Sequence, residues 1–334
     1  MDRYFDALKR NRRRILRLDN VVGVGVGYKQ VGTTTTDQPA LVVYVKKKHP
    51  VKNLVRSHVV PKQLDGLATD VVEIGTVRML VSRTEKERPC QPGVSIGHYQ
   101  STAGTLGAIV KDKATGEMMI LSNNHVLANA TTDRDTRAKV GDPILQPGPY
   151  DGGTLAERIG ALEKFVPLQK SEVPAECPVA AGVARGTNLF LQLFRPDYKF
   201  HMVKQLAAEN VVDCALARPD SSGLVQPAVL EIGEVTGVAE VKPGQKVQKS
   251  GRTSGVTKGM VKTVGTTLEV EMKDNETIMF SDQVVADMVS QPGDSGSLVL
   301  DEERRAVGLL FAGSDKITVF NRIQNVVEKL DIEF

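Results

Sequence analysis

The pattern of apolar and polar positions divides the chain into two parts of different character. Residues 3–18 carry apolar side chains near helical spacing with arginines between them, which predicts an amphipathic helix. Strand-like apolar runs follow at residues 21–28, 40–46 and 67–76. A helix followed by several strands predicts a small α+β domain over residues 1–81, with a regulatory or assembly role that the sequence leaves open.

From residue 94 to residue 334 the pattern changes to short apolar strands separated by Gly, Pro, Asp and Asn turns. The predicted strands are 105–111, 118–121, 211–217, 246–250, 266–272, 277–280 and 306–311. Helical spacing returns at residues 202–209 and 323–330. Many short strands with frequent turns predict a mainly β fold, a barrel or a sandwich.

Residues 82–93 separate these two parts and have a composition of their own. They are charged and contain two prolines, which predicts an exposed linker. An exposed segment between domains is a natural site for proteolysis, so regulation by cleavage at this segment, including self-cleavage, is a hypothesis from the sequence.

Composition narrows the classes of function. The 334 residues suffice for about two domains, and the net charge of +3 creates no strong field for nucleic acid. The basic residues crowd into the first helix as Lys9, Arg10, Arg12, Arg13, Arg14 and Arg17. A solvated basic helix face is the favoured interpretation. Nucleic acid is therefore not the expected partner, and a steep salt dependence of binding would be needed to support one.

The cysteines and the hydropathy of the chain bear on its compartment. Three cysteines at long spacings, Cys90, Cys177 and Cys214, form neither a zinc pattern nor a disulfide framework, which favours a reducing compartment. No signal peptide and no run of about 18 apolar residues is found. We therefore expect a cytoplasmic protein with no membrane partner, no metal and no cofactor.

The strongest chemical signal is the turn Gln291-Pro292-Gly293-Asp294-Ser295-Gly296, which precedes an apolar strand. A serine hydroxyl becomes a useful nucleophile only beside a base, and its attack creates an oxyanion that needs donors. The glycines let the backbone N–H groups of Gly293 and Ser295 point into one small pocket. These residues alone leave open a plain polar turn between strands.

A base and an acid in suitable settings complete the pattern. His125 follows a predicted buried strand directly, in Ser122-Asn123-Asn124-His125-Val126, where a general base could be held over a cleft. Asp213 lies in an otherwise apolar segment and would need a partner there, and His125 is the obvious one. Asp197 and Asp220 are weaker rivals in polar loops. The remaining histidines are interpreted as structural or surface residues: His49, His58, His98 and His201.

Together these residues resemble the chymotrypsin-like (trypsin-like) serine peptidases over about residues 100–334. The resemblance rests on the order His…Asp…Ser, the segments NNHV, VDCALA and GDSGS, the turn at 250–255 and the strand at 307–313. Within that family the pattern is more similar to intracellular bacterial members and to the narrow-leaf type of plant protein than to secreted digestive enzymes.

The resemblance implies an architecture and an assignment of roles. Two six-stranded antiparallel β-barrels, at about 100–220 and 225–322, would enclose a cleft, with a C-terminal helix at 323–330. The catalytic triad would be His125, Asp213 and Ser295. The oxyanion hole would be formed by Gly293 and Ser295. Residues 168–208 would form an insertion near the cleft.

Activation and specificity depart from the secreted members of this family. Those members pair a newly cut N-terminus with the acid before the serine. Here Asp294 is available, but Val94-Ser95-Ile96-Gly97 matches the usual new N-terminus poorly. The resemblance places Phe311, Ala312 and Gly313 along the substrate and Val289 at the pocket floor, which predicts a small or apolar side chain before the cut. A register shift would bring Asp287 there instead.

Two functions of different class follow from the sequence. The first is a serine endopeptidase acting on protein or peptide substrates through an acyl-enzyme. The second is a latent or inactive peptidase-fold protein that serves as a binding or scaffold module. A regulatory partner and a homo-oligomer both stay open.

Overall fold

The chain folds into two compact units, Met1–Val81 and Ser82–Phe334. A computed structural model describes residues 1–32, 34–55, 58–75, 77, 82–170, 172–174, 177–200, 202–205, 209–272, 277–314 and 316–334.

The first unit combines one helix with a four-stranded sheet. Its elements are α1 (Asp2–Ile15), β1 (Val21–Val31), β2 (Thr34–Val45), β3 (Gln63–Leu64) and β4 (Leu67–Glu73). The sheet order is β1-β2-β4-β3, with β2 and β4 parallel and the other pairs antiparallel. On α1, Ala7 and Ile15 are buried against Leu41 and Val43 of the sheet. The helix is therefore amphipathic, and the α+β prediction is confirmed.

The second unit is built mainly of strands. They are β5 (Ser95–His98), β6 (Gly104–Thr105), β7 (Ala108–Asp112), β8 (Met118–Ser122), β9 (Pro143–Leu145), β10 (Arg158–Phe165), β11 (Glu172–Pro174), β12 (Val203–Gln205), β13 (Ala215–Pro219), β14 (Lys246–Gly251), β15 (Gly255–Glu271), β16 (Thr277–Ala286), β17 (Leu298–Asp301), β18 (Ala306–Gly313), β19 (Thr318–Arg322) and β20 (Ile332–Glu333). The helices are α2 (Asn124–Leu127), α3 (Pro178–Phe194) and α4 (Ile323–Leu330).

Apart from the separate pair β11–β12, these strands form two antiparallel sheets that correspond to the two predicted barrels. Strands β14-β15-β16-β19-β18-β17 close into a six-stranded barrel. The first sheet has eight strands, in the order β20-β7-β8-β13-β10-β9-β5-β6, where six were expected. One extra strand comes from the end of the chain, because Ile332 pairs with Asp112 after α4. The mainly β, double-barrel fold class is confirmed.

The two sheets share a common apolar core, which holds them together. Leu121 and Leu216 of the first sheet pack in one buried cluster with Leu298 and Leu309 of the second. Val326 of α4 is buried in the same cluster. Burying each such side chain contributes about 1.5–3 kcal/mol, so the cluster resists relative movement of the sheets.

Residues 82–93 are not the exposed linker that the sequence predicts. Arg83 is 8% exposed, and its guanidinium donates to the Gly93 carbonyl at 3.0 Å and to Ser250 Oγ at 2.7 Å. Cys90 is fully buried and forms a β-bridge with Val225. The charged composition misled the prediction, because one of these charges pairs inside the second unit. Cleavage at this segment would require the segment to detach first.

The insertion at 168–208 contains the strand pair β11–β12 and the helix α3. The predicted helix at 202–209 is wrong for Val203–Gln205, which form β12, and residues 206–208 lie outside the described residues. The sequence pattern does not predict α3, and none of the residues of this helix is buried. In the described part of the chain, no helix has the length and apolar character needed to cross a membrane.

The three cysteines are free and lie in different environments. Cys90 and Cys214 are buried, and burial raises the pKa of Cys90 to about 12 and that of Cys214 well above its usual value. Cys177 is exposed just before α3, where the N–H groups of Ala180 and Val179 lower the pKa of its thiol. Only Cys177 is therefore set up to react in the folded protein.

We expect one fast and two slow thiols when the native protein is mixed with an aromatic disulfide reagent. Cys90 and Cys214 should react roughly 100-fold or more slowly, because reaction requires the thiolate and local opening. The absorbance of the released aromatic thiolate, followed at mildly alkaline pH, gives the rate of reaction of each thiol. Cys177→Ser should remove the fast phase alone, and a second fast thiol in that variant would contradict the burial of Cys90 and Cys214.

Candidate active site

His125 lies on a short helix that directly follows a buried strand. Strand β8 ends at Ser122 and α2 begins at Asn124, with Val126 and Leu127 buried beneath the turn. The apolar residues anchor the turn, while the imidazole of His125 stays 26% exposed. A reactant could therefore reach the ring although its backbone is held in the core.

Two buried asparagines hold the backbone on either side of this turn. Asn123 Nδ2 donates to the Asp213 carbonyl at 2.7 Å, and Asn124 Nδ2 donates to the Val166 carbonyl at 2.7 Å. Among the described residues neither Oδ1 has a partner, so each amide is held through its nitrogen, and these donated bonds fix the conformation of the turn. The repeated asparagine before His125 thus has a structural reason.

His125 and Asp213 are joined directly. His125 Nδ1 lies 2.5 Å from Asp213 Oδ2, and the His125 backbone N–H donates to Asp213 Oδ1 at 3.3 Å. The Asp213 side chain is 2% exposed. Asp213 precedes β13 rather than lying inside a strand, as the sequence suggested. A buried carboxylate on Nδ1 holds the ring in the tautomer that leaves Nε2 free to accept a proton.

Residues of the closed barrel hold the backbone of Asp213. Asn321 Oδ1 accepts from the Asp213 N–H at 3.0 Å, and Asn321 Nδ2 donates to Gln283 Oε1 at 2.7 Å. Gln283 Nε2 in turn donates to the Val211 carbonyl at 3.0 Å. Both amide side chains are fully buried. The second barrel therefore positions an acid that belongs to the first.

Ser295 lies in the turn between β16 and β17, beside the first sheet. Its carbonyl accepts from the Thr105 N–H at 2.7 Å. A Cβ at Gly104 would lie 2.9 Å from the Ser295 carbonyl oxygen and 2.4 Å from Val126 Cγ2, so the serine turn and α2 meet at this glycine. The Ser295 hydroxyl donates to the Phe311 carbonyl at 3.3 Å and not to His125.

Two backbone N–H groups of the serine turn have no acceptor among the described residues. In the described part of the chain, neither the Gly293 nor the Ser295 N–H donates a hydrogen bond. Gly293 has φ of +97°, a conformation that favours glycine, and its carbonyl accepts from Thr105 Oγ1 at 2.8 Å. Free donors in a fixed turn are suited to an anionic oxygen.

Asp294, the residue between them, points into the protein. It forms an ion pair at 3.0 Å with Lys249 of β14, and both side chains are 0% exposed. Its carboxylate also accepts from the Thr253, Ser254 and Gln291 N–H groups and from Ser254 Oγ. A lysine of the same chain thus supplies the cation beside the acid that precedes the serine.

The ionised form of Asp294 is favoured. Burial alone would raise its pKa, but the charge of Lys249 and the hydrogen bonds from Ser254 and Gln291 outweigh it and lower the pKa. Because the folded pKa is lower than the unfolded one, this carboxylate stabilises the fold at neutral pH, and that contribution is lost as pH falls through the folded value.

The candidate substrate strand runs beside the serine. Phe311 is buried and stacks on Phe280 with ring centroids 4.5 Å apart. Ala312 is half-buried, and Gly313 pairs with Thr318 of β19. A Cβ at Gly313 would lie 2.6 Å from Ser290 Oγ. The backbone of this strand is therefore close to the serine, whose hydroxyl contacts the Phe311 carbonyl.

Neither predicted pocket-floor residue lies in a covered position. The Val289 side chain is 61% exposed, and its carbonyl accepts from Thr257 Oγ1 at 2.8 Å. Asp287 bonds to Lys262 at 2.6 Å, also at an exposed position. A pocket floor must be enclosed by its neighbours, so the chain direction turns these two side chains out. Ser290, one residue further on, is the side chain that faces Gly313.

The rival acids and the other histidines lie elsewhere. Asp197 is exposed, and Asp220 pairs with Arg158 at 2.9 Å. Of the four other histidines, His49 is exposed, and His201 lies outside the described residues. His98 is fully buried beside Asp142 at 3.1 Å, and burial lowers its pKa. His58 lies 4.0 Å from Asp19 on the first unit.

Sequence reasoning missed the residues that position the site. Lys249, Gln283 and Asn321 are polar side chains within apolar strands, and each is fully buried. A charged or amide residue at an inward position of a strand needs a buried partner, and this signal could have found all three.

The described side chains that could bind a metal ion do not form a cluster. Within the described ranges, no group of three or more His, Cys, Asp or Glu side chains is placed to hold a metal ion.

The second unit thus has the double-barrel fold of the chymotrypsin-like serine proteases. No model of a known protein family matches the chain. The rice (Oryza sativa subsp. japonica) protein NARROW LEAF 1 is 27% identical over 328 residues, covering 88% of this chain and 51% of the rice protein. The chain therefore spans about half the length of the curated relative that it matches.

Two solved structures show the same kind of similarity at the level of shape. Thermobifida fusca Protease A has a TM-score of 0.45 and 15% identity, and covers 73% of this chain and 98% of its own. The Nocardiopsis protease NAPase has a TM-score of 0.45 and 14% identity, with the same coverage.

Proposed function

We propose that residues 82–334 form a serine endopeptidase whose catalytic triad is His125, Asp213 and Ser295. The observation that carries the proposal is the 2.5 Å contact between His125 Nδ1 and the buried Asp213 carboxylate, beside a serine in a glycine-rich turn. A buried acid that bonds to the ring of an accessible histidine has a clear use in proton transfer.

The reaction follows from this arrangement. Ser295 Oγ attacks the carbonyl carbon of the peptide bond while His125 Nε2 takes its proton, and Asp213 stabilises the resulting imidazolium. The Gly293 and Ser295 N–H groups bind the oxyanion. His125 then gives the proton to the leaving amine, and the C–N bond breaks. Water hydrolyses the acyl-enzyme through the same groups and restores the serine.

The serine must change its hydrogen-bond partner before this step. Its hydroxyl donates to the Phe311 carbonyl at 3.3 Å, and for the proposed reaction it would have to leave this carbonyl and donate to His125. A long neutral hydrogen bond of this kind is easily exchanged, and catalytic hydrogen bonds often tighten only with substrate bound.

We propose that the pocket for the side chain before the cut is bounded by Ser290, Gly313 and Thr318. Thr318 Oγ1 lies 2.7 Å from Ser290 Oγ and also bonds to the Met288 carbonyl, so both hydroxyls have partners within the protein. None of these three residues carries a charge, which favours a small or apolar substrate side chain over a cation or an anion.

The same serine contact supports a second candidate function, a latent peptidase fold that acts as a binding module. A nucleophile whose hydroxyl is held by Phe311 is not activated until something redirects it. In this case a partner or substrate would have to release Ser295.

A fluorophosphonate probe distinguishes these two functions, because it phosphonylates only an activated serine. We expect the purified full chain to form one adduct, which peptide mass spectrometry locates at Ser295. The adduct should be absent in Ser295→Ala and strongly reduced in His125→Ala. His98→Ala is the matched control, because His98 also pairs with an aspartate but lies outside the proposed triad. An unlabelled wild-type chain with its native fold would favour the latent module.

A further inference from the structure

The residues Arg252, Thr253 and Ser254, the 252–254 turn, lie directly against the proposed oxyanion hole. A Cβ at Gly293 would lie 2.5 Å from Thr253 Oγ1 and 2.6 Å from Arg252 Nη1. A side chain at residue 293 would therefore have to displace the Thr253 and Arg252 side chains. The turn and Gly293 are therefore packed as one unit.

Within this contact, one hydrogen bond determines the direction of a peptide group. Thr253 Oγ1 donates to the Pro292 carbonyl oxygen at 2.8 Å. The Pro292–Gly293 peptide is planar and trans, so its C=O and N–H point in opposite directions. Fixing the Pro292 carbonyl on Thr253 therefore aims the Gly293 N–H away from the 252–254 turn.

This bond matters because it is made to the Pro292–Gly293 peptide group itself, whereas the bonds from Thr105 and to Asp294 hold its neighbours in the turn. In the described residues, the Gly293 N–H donates no hydrogen bond, and the Pro292 side chain is exposed. Gly293 has wide conformational freedom, so the peptide could turn over at low cost if its carbonyl were released. Turning it over would remove one of the two oxyanion donors.

Thr253 is itself held from two sides. Its backbone N–H donates to Asp294 Oδ1 at 2.9 Å, and Arg252 Nη1 donates to Thr253 Oγ1 at 2.9 Å. The hydroxyl therefore accepts from Arg252 and has its own proton left for the Pro292 carbonyl.

Arg252 connects this turn to the first sheet. Its Nε donates to Asp151 Oδ2 at 2.6 Å and its Nη2 bonds to Asp151 Oδ1, and its guanidinium lies 5.1 Å from the Tyr150 ring centre. Ser95 Oγ also donates to Asp151 at 2.5 Å. A bidentate pair that is about one-tenth exposed is a rigid support for the turn.

We propose that Thr253 is a positioning residue that holds the Gly293 N–H in the orientation needed to bind the oxyanion, with Asp151 and Arg252 supporting it. This inference rests on the proposed peptidase function. Thr253 contacts neither the nucleophile nor the base, so it acts only through the Pro292–Gly293 peptide.

The test compares Thr253→Val, which removes the hydroxyl at equal size, with Thr253→Ser, which keeps it. Thr253 is exposed, so neither change disturbs the core. We expect Thr253→Val to slow fluorophosphonate labelling of Ser295 and to lower kcat on fluorescent casein by about 10- to 100-fold. Loss of a whole oxyanion donor costs about 10²–10³-fold, and a misoriented donor should cost less. KM and the pH midpoint should not change.

Thr253→Ser should recover activity to within about threefold of wild type, because the bond to Pro292 is restored. Thr236→Val is the matched control. Its hydroxyl donates to the Glu303 carbonyl at 2.8 Å at an exposed site before β14, and its loss should leave the rates unchanged. Equal rates in Thr253→Val and wild type would overturn the inference.

An inactive wild-type chain would count against the peptidase function but not against the positioning role of Thr253. That role is tested separately by a crystal structure of the variant. In Thr253→Val the Pro292 carbonyl should then be found rotated away from residue 253. A peptide that keeps the wild-type orientation in this variant would overturn the positioning role whatever the activity.

Discussion

Replacing Asp213 with asparagine should lower the rate of peptide hydrolysis by about 10⁴-fold, or roughly 5 kcal/mol of transition-state stabilisation. The asparagine keeps the size of the side chain, but its amide can donate to His125 Nδ1 and so favour the wrong tautomer. The imidazolium formed during the reaction also loses its counter-charge. The fold should survive, because the Asp213 backbone contacts to Asn123 and Asn321 do not involve the carboxylate.

This expectation is checked with kcat on fluorescent casein, with the second-order rate of fluorophosphonate labelling and with a thermal melt. Asp220→Asn is the matched control, because this aspartate follows β13 and pairs with Arg158 at an exposed position. It should change the rates by less than about twofold. Labelling in Asp213→Asn at the wild-type rate, in a folded protein, would remove Asp213 from the triad.

Replacing Lys249 with methionine should be the most destabilising of the changes considered, at about 3–5 kcal/mol. Methionine fills much of the space of the lysine stem but leaves the Asp294 carboxylate buried without its cation. Both side chains are 0% exposed, so water cannot compensate. Because Asp294 adjoins Gly293 and Ser295, the serine turn should loosen as well. The melting temperature should fall on the order of 10 °C.

Two comparisons isolate the electrostatic cause. Lys246 lies on the same strand and pairs with Glu302, with both side chains about two-thirds exposed, so Lys246→Met should cost less than about 1 kcal/mol. The double variant Lys249→Met with Asp294→Asn removes both charges and should recover part of the lost stability. An equal loss of unfolding free energy in the two lysine variants would show that the buried ion pair does not stabilise the fold.

The pH dependence of the Lys249→Met effect has a definite sign. In the wild type the pKa of Asp294 is lowered, so its ionised form stabilises the fold above the unfolded pKa. Without Lys249, the folded pKa of Asp294 rises because its nearby cation is gone while the burial remains, so the ionised form stabilises the fold less than in the wild type. The stability difference between the two proteins should therefore shrink as pH falls from 7 towards 4, as denaturant unfolding at several pH values would show.

The candidate site shows which of its features local sequence patterns can predict. His125 and Ser295 stand out because each has a distinctive local setting, a polar turn after an apolar strand and a serine between glycines. Val289 was placed by counting back from Ser295, and counting does not reveal which way a side chain points. The structure turns Val289 to solvent and Ser290 towards Gly313, because the turn before β17 sets that direction.

The sequence by itself determined the mainly β class of residues 94–334 and the small α+β unit before it, and it supplied the candidates for the reactive side chains, because periodicity and turn residues are local properties. Only the tertiary structure revealed that Lys249 is the buried partner of Asp294, that Asn321 holds Asp213 and that Thr253 bonds to the Pro292 carbonyl. These partners are 45, 108 and 39 residues apart in the chain. Contacts at such separations arise from the closure of one barrel and its packing against the neighbouring sheet, which no local pattern encodes.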